Sequence, residues 1–160
     1  MKIFTPLFVG ALFLAGCATT SSDSSCISSG TRWTGGNSGS SSMNPGMDCI
    51  ACHQNGGPHY LVAGTVYSSG TDADGCDGVA SVSIELKAVG TGETVTATSN
   101  GVGNFYLNSN QMFPAGTKYT ARVIANGKAR AMTTPQTSGA CNSCHTADGT
   151  NGAPGRVLIP

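Results

Sequence analysis

The chain has 160 residues, with eight Lys and Arg against eight Asp and Glu, so its formal net charge is zero. A nucleic-acid-binding surface needs a surplus of Lys and Arg, and this balance argues against nucleic acid as a partner. Only 6% of the residues are aromatic, so one domain of this length lacks the side chains for a thick apolar core. We expect disulfides, a metal or a cofactor to supply part of the missing stabilisation.

Residues 1–16 predict an export signal. Lys2 supplies a positive charge, and the apolar run Ile3–Leu14 is too short to span a bilayer. The following Leu14-Ala-Gly-Cys17 resembles the bacterial lipobox, in which the cysteine is lipidated after cleavage. The resemblance implies a protein anchored by lipid on Cys17 in the bacterial cell envelope, and Ala18 at the next position favours the outer membrane. The alternative is an ordinary signal peptide; either way the chain is exported and can form disulfides.

Residues 17–42 are rich in Ser and Gly and show no apolar periodicity. Such a composition buries too little surface to offset chain entropy, so it predicts a disordered N-terminal tether. Trp33 is the only tryptophan of the chain. Because a tryptophan is unusual in a linker, we expect it to pack on something and to pin the later part of the tether.

Two copies of one motif contain four of the seven cysteines and two of the three histidines. Cys-x-x-Cys-His is the attachment motif of c-type haem, in which both thiols add to the porphyrin vinyl groups and the imidazole lies under the iron. Two copies make coincidence a poor explanation, so the sequence predicts two covalently bound haem c groups. The expected attachment residues and proximal ligands are Cys49, Cys52 and His53 in the first copy, and Cys141, Cys144 and His145 in the second.

Other uses of these cysteines are less well supported. Two Cys-x-x-Cys pairs could hold zinc, but a whole domain separates them and each is followed by His. Thioredoxin-like redox motifs need strand–helix units, and no helix of the required length is predicted. With lipid on Cys17, the cysteines that remain are Cys26 and Cys76. We expect them to form a disulfide that clips the tether onto the domain.

Between the motifs, short segments alternate apolar and polar residues, and Asn-Gly pairs separate several of them. Both features are typical of strands joined by hairpins. The sequence therefore predicts an all-β fold, a small β-sandwich over residues 61–133, flanked by haem segments at 43–60 and 134–160. The expected strands are Leu61–Ser68, Val82–Ala88, Thr94–Ser99, Asn104–Asn108, Tyr119–Ala125, Lys128–Thr133 and an edge strand at Val157–Ile159.

The central region resembles the carboxypeptidase regulatory-like (prealbumin-like) β-sandwich. The resemblance rests on Ala63–Tyr67, Val82–Leu86 and Thr94–Phe105 and implies a non-catalytic scaffold. The whole arrangement is similar to small exported haem lipoproteins in which such a sandwich is flanked by three motifs. Here those motifs are Trp33–Gly36, Met43–His53 and Cys141–His145.

The sequence offers several candidates for the sixth iron ligands. A c-type haem commonly has a distal His or Met. For the first haem, Met43 and His59 are both within reach of Cys49-Ile-Ala-Cys-His53. For the second haem, Met132 is the better candidate, because no free His is nearby in sequence. If the first and last strands of the sandwich are neighbours, the two motifs meet at one edge.

The segment Asp72–Gly78 has a calcium-like spacing of Asp residues. It lacks the Glu at loop position twelve and the flanking helices of an EF-hand. We therefore expect a solvated turn.

These features predict an electron carrier and no enzyme, since no nucleophile–base–orienter set is recognisable. Its expected partners are other envelope redox proteins or an extracellular electron acceptor, and the membrane through the lipid. Exposed haem edges would also allow contact with further copies of itself. One alternative is a structural or binding surface lipoprotein with a zinc-stapled β-sandwich. Another is a haem peroxidase or ligand-binding protein, if one iron is five-coordinate.

Overall fold

A computed structural model describes residues 26–37 and 39–160, most of which belong to strands and their connections. The predicted signal peptide and Cys17 lie outside the described residues. The strands form two sheets, which confirms the predicted all-β class and gives a sandwich-like fold.

Each predicted strand is present, with small differences at the ends. The strands are β1 (Tyr60–Tyr67), β2 (Ser83–Ala88), β3 (Thr94–Thr98), β4 (Asn104–Asn108), β5 (Tyr119–Ala125), β6 (Lys128–Ala131) and β7 (Val157–Leu158). Two short helices, α1 (Cys49–His53) and α2 (Cys141–Cys144), coincide with the motifs, and a 3-10 turn covers Ser109–Gln111.

The smaller sheet has the strand order β4-β1-β7. Strand β1 pairs antiparallel with β4 and parallel with β7, so it lies in the middle. Near the start of β1, Ala63 also forms a parallel bridge with Ala140, which immediately precedes the second motif. The Ala63 N–H donates to the Gly139 carbonyl. Strand β1 is therefore a neighbour of the C-terminal edge strand β7, whereas β6, the last strand of the predicted sandwich, lies at the edge of the other sheet.

The larger sheet has the order β3-β2-β5-β6, with all neighbours antiparallel. Alternate residues of β2, such as Ile84 and Leu86, face inward, while Glu85 and Lys87 face solvent. The inward side chains meet Val62, Val66 and others from the smaller sheet in one apolar core. The period-two pattern of the sequence thus decides which face of the sheet is buried.

Both helices are a single turn long. The Asp48 side chain caps α1 by accepting a hydrogen bond from the Ala51 N–H, which satisfies one of the free donors of a helix start. In residues 26–37 and 39–160, no helix is long and apolar enough to cross a membrane.

The described part of the predicted tether is attached to the domain, which corrects the expectation of a disordered segment there. The predicted disulfide between Cys26 and Cys76 is confirmed. The backbone N–H groups of Ile27 and Ser28 donate to the carboxylate of the fully buried Asp72. Trp33 packs over Gly35 and donates from its indole to the Gly36 carbonyl.

Replacing both Cys26 and Cys76 by Ala should lower the free energy of unfolding by about 2–4 kcal/mol, because the bond closes a long loop of the unfolded chain. The bond joins residues 50 apart in sequence. Urea unfolding monitored by circular dichroism measures the change. A loss below about 0.5 kcal/mol would show that the hydrogen bonds to Asp72 hold this segment without the disulfide.

Candidate functional site

Both motifs pack against strand β1. The residue that joins them is Thr65, whose side chain is fully buried. Its hydroxyl accepts from the Gly46 N–H at 2.8 Å and from the Asn142 Nδ2 at 3.1 Å, and donates to the Asn104 Oδ1 at 2.8 Å. Asn142 lies inside the second motif, and Gly46 shortly precedes the first. One strand residue therefore fixes both motif segments.

Asn142 makes the direct link between the motifs. Its Oδ1 accepts from the Thr65 N–H, and its Nδ2 also donates to the Met47 carbonyl at 2.9 Å. Asn142 is buried, so each of these bonds satisfies a polar group that water cannot reach. The side chain thus holds α2 to the segment that leads into α1.

Cys141 approaches the backbone of β1 at Gly64. A Cβ atom at Gly64 would lie 2.8 Å from the Cys141 Cβ and 2.7 Å from the Phe105 Cζ. Real side chains do not approach so closely, so only glycine allows Cys141 to reach this position.

All four motif cysteines are free thiols. Burial raises the pKa of the Cys49 thiol to about 11. Burial, together with the charge of a nearby Cys49 thiolate, raises the pKa of Cys141 to about 12. The first cysteines of the two motifs are therefore near each other, while Cys52 is exposed. At neutral pH Cys49 and Cys141 are protonated.

His145 is held in one tautomer. Its Nδ1 lies 2.7 Å from the Gly155 carbonyl oxygen. Because a carbonyl can only accept, Nδ1 carries the proton, and in the neutral ring Nε2 keeps its lone pair. This arrangement, with one ring nitrogen donating to the backbone, is the usual one for a histidine that binds a metal through the other nitrogen.

His53 is held differently. Its ring packs on Tyr60 with centroids 4.9 Å apart, and Tyr60 packs on Tyr106 at 4.6 Å. Gly57, at φ +81°, lies against the ring, and a Cβ there would be 3.0 Å from the His53 Nδ1, a tight contact. The His53 Nδ1 is buried and has no hydrogen-bond partner. Such an atom costs free energy unless a further group satisfies it.

Met43 and His53 line one small cavity, and His59 is not among its lining residues. This cavity, of about 30 Å³, has Cys49 and Tyr60 among its other lining residues. The backbone of Met43 is fixed because its carbonyl accepts from the Asn104 Nδ2 at 2.9 Å. His59 is exposed and is not part of this lining.

Met132 lies directly after β6 on the larger sheet. Its N–H donates to the Ala121 carbonyl of β5, and its side chain is half-buried. Met132 therefore lies on the larger sheet, whereas the second motif packs on the smaller one.

Three large apolar side chains close to the motifs are exposed. They are Met47, 45% exposed, Leu61, 39% exposed, and Tyr106, 38% exposed. Met47 precedes α1, Leu61 lies on β1, and Tyr106 packs on Tyr60. The surface beside the motifs therefore includes three large apolar side chains.

The described Cys, His, Asp and Glu side chains form no group of three or more suited to a metal ion. Sequence reasoning missed Thr65, Asn142, Gly64 and Gly155. Their roles depend on contacts between segments that are distant in sequence, and local patterns signal few such contacts. The one available signal was the glycine at position 64 within an otherwise regular strand, which is typical of a close backbone approach.

Comparison of the chain with protein-family models, curated proteins and solved structures finds no match. The family resemblances seen in its sequence therefore remain predictions.

Changing Gly64 to Ala should lower the free energy of unfolding by about 1–3 kcal/mol, because the added methyl group overpacks the contact with Cys141 and Phe105. Gly101→Ala is the matched control, since a Cβ at Gly101 meets no atom within 4 Å. Denaturant unfolding of both variants gives the comparison. Equal stabilities would mean that Cys141 is not held against β1.

Proposed function

We propose that the chain is an exported, lipid-anchored dihaem c-type cytochrome that carries single electrons at the cell envelope. The observation that supports this most strongly is the convergence of both Cys-x-x-Cys-His motifs on strand β1. The four cysteines are free, and the fold fastens the two motif segments to Thr65 and to each other.

The residues at the motifs fit a covalently bound haem. His145 presents an unprotonated Nε2 because its Nδ1 donates to the Gly155 carbonyl. His53 has a buried ring nitrogen without a partner. The exposed Met47, Leu61 and Tyr106 supply apolar surface that a porphyrin face would cover. When bound, the haem iron supplies the chemistry by cycling between ferric and ferrous states.

The role of the chain is to fix where the two groups are held. The helices that hold the two proposed attachment sites, α1 and α2, both pack against β1, the middle strand of its sheet. The apolar core behind β1 makes this strand a rigid support. A rigid support favours electron transfer because little reorganisation accompanies each change of charge.

For the first haem we propose Met43 as the sixth ligand in preference to His59. Met43 and His53 line the same cavity, whereas His59 is exposed. A cavity of about 30 Å³ holds roughly one water molecule. Coordination by both residues therefore requires the walls around Met43 and His53 to separate. Ligation by a thioether raises the potential relative to two imidazoles.

The partners that fit this function are redox proteins of the envelope or an extracellular acceptor. An electron carrier needs no catalytic side chains, and the proposal assigns no enzymatic activity. The zinc-stapled lipoprotein and the five-coordinate haem protein remain outcomes of the experiments below.

Protein made in a host with a cytochrome c maturation system should carry two haem groups per chain. An alkaline pyridine spectrum counts haem c, and intact mass counts covalent additions. Cys49→Ser/Cys52→Ser and Cys141→Ser/Cys144→Ser should each retain one, because each motif holds its own group. A wild-type chain with no haem and one bound zinc ion would support the zinc-stapled lipoprotein instead.

Met43→Ala should open one iron to carbon monoxide in the ferrous protein and weaken the sulfur-to-iron charge-transfer band of the ferric protein. His59→Ala should do neither, because His59 lies outside the cavity. Met112→Ala, which removes a methionine that packs on the apolar core, is the control. Carbon monoxide binding by His59→Ala alone would reverse the assignment, and binding by the wild type would indicate a five-coordinate iron.

A further inference from the structure

The carbonyl that orients His145 belongs to Gly155, whose backbone has φ +121°. This conformation is open to glycine and strained for other residues. A glycine backbone is also intrinsically mobile, so the direction of its carbonyl depends on what holds the adjacent residues. Gly155 is followed by Arg156 and then by β7, which pairs with β1.

Arg156 is a buried cation, only 4% exposed. Its Nη2 lies 2.6 Å from the Asp74 Oδ1, and its Nε donates to the Asp72 carbonyl at 3.0 Å. Its guanidinium lies 5.0 Å from the centre of the Tyr67 ring. A buried charge is tolerated only while such partners stay in place. The planar guanidinium also fixes their directions, which a lysine ammonium does not.

The partners of Arg156 belong to a segment that is itself fastened. Cys76 is bonded to Cys26, and the Asp72 carboxylate accepts from the Ile27 and Ser28 N–H groups at 2.6 and 3.0 Å. The sequence predicted a solvated turn here, and this expectation is wrong because Asp72 is fully buried. Arg156 is therefore bound to a segment, residues 72–76, that is itself held by a disulfide and by buried hydrogen bonds.

We propose that Arg156, held by Asp74 and the Asp72 carbonyl, is a positioning residue for His145. By fixing the backbone next to Gly155, it keeps the Gly155 carbonyl on the Nδ1–H and so keeps Nε2 available as a metal ligand. The proposal rests on the proposed function for the identity of the metal. The tautomer itself is a property of the chain.

The hydrogen bond has a consequence for the iron bound at His145. A carbonyl acceptor on Nδ1–H makes the imidazole more basic, and a more basic ligand favours the ferric state. His53 has no such bond. Weakening the bond at His145 should therefore raise the potential of the second iron and leave the first unchanged.

The decisive variants are Arg156→Lys, which keeps the charge but not the planar geometry, and Asp74→Asn, which keeps Arg156 and an acceptor oxygen. The Asp74 side chain is 56% exposed, so the asparagine is readily accommodated. Arg122→Lys is the matched control, since Arg122 pairs with Glu85 on the larger sheet. All are made in the full chain, purified as exported.

Two measurements report on the hydrogen bond from the His145 Nδ1–H to the Gly155 carbonyl. Long-range ¹H–¹⁵N spectra of the reduced protein identify the protonated nitrogen of His145 and the exchange of its proton with water. We expect Nδ1–H in the wild type, and exchange at least about tenfold faster in Arg156→Lys. Spectroelectrochemical titration should show one of the two midpoint potentials rising in Arg156→Lys. Asp74→Asn should shift both readouts the same way, and Arg122→Lys should match the wild type.

The outcomes separate this proposal from the proposed function. If the chain carries no haem, the tautomer and its exchange rate still test Arg156, because they need no iron. If haem is present and both decisive variants keep the wild-type exchange rate and potentials, the positioning role is wrong and the cytochrome assignment stands. Reduced stability with neither readout changed would show that Arg156 only supports the fold.

Discussion

The arrangement of the molecule depends on the hydrogen bonds of Thr65. Four bonds join this one residue of β1 to Gly46, Asn104 and Asn142, which are far apart in sequence. Because Thr65 is fully buried, no water can replace a lost partner. Leaving one such group unsatisfied costs about 1–3 kcal/mol, so the three segments are placed together or not at all. Both Cys-x-x-Cys-His motifs take their positions from this cluster.

Buried polar groups supply part of the stabilisation that apolar side chains supply in larger cores. The apolar core is confined to the space between the two sheets. The motif side of β1 is held by amide and hydroxyl groups, and Arg156 with Asp74 packs beside Tyr67 at the end of the same strand. Fully satisfied polar clusters specify one arrangement more narrowly than apolar contacts do. A small domain with few aromatic residues thereby holds its two Cys-x-x-Cys-His motifs at fixed positions relative to each other.

Local patterns in the sequence account for much of this structure. Asn104–Asn108 and Tyr119–Ala125 were predicted with the observed bounds, since alternation and Asn-Gly turns are local signals. The disulfide followed from counting cysteines. Asp72 was misjudged because its Asp- and Gly-rich neighbourhood is typical of a solvated turn, whereas its partners Ile27 and Ser28 are distant in sequence. Asn142 was missed for the same reason.

The sharing of Thr65 between the motif segments also bears on how the protein is made. A local opening that frees one segment removes hydrogen-bond partners from the other, so the two open as a unit. On the proposed function, a molecule that carries haem at one motif only would lack the porphyrin contacts at the other motif, and the shared cluster would open more often. Proteases cleave such open forms in proportion to their population. Molecules with haem at both motifs would then be degraded more slowly than molecules with haem at one, and no separate quality-control protein would be needed.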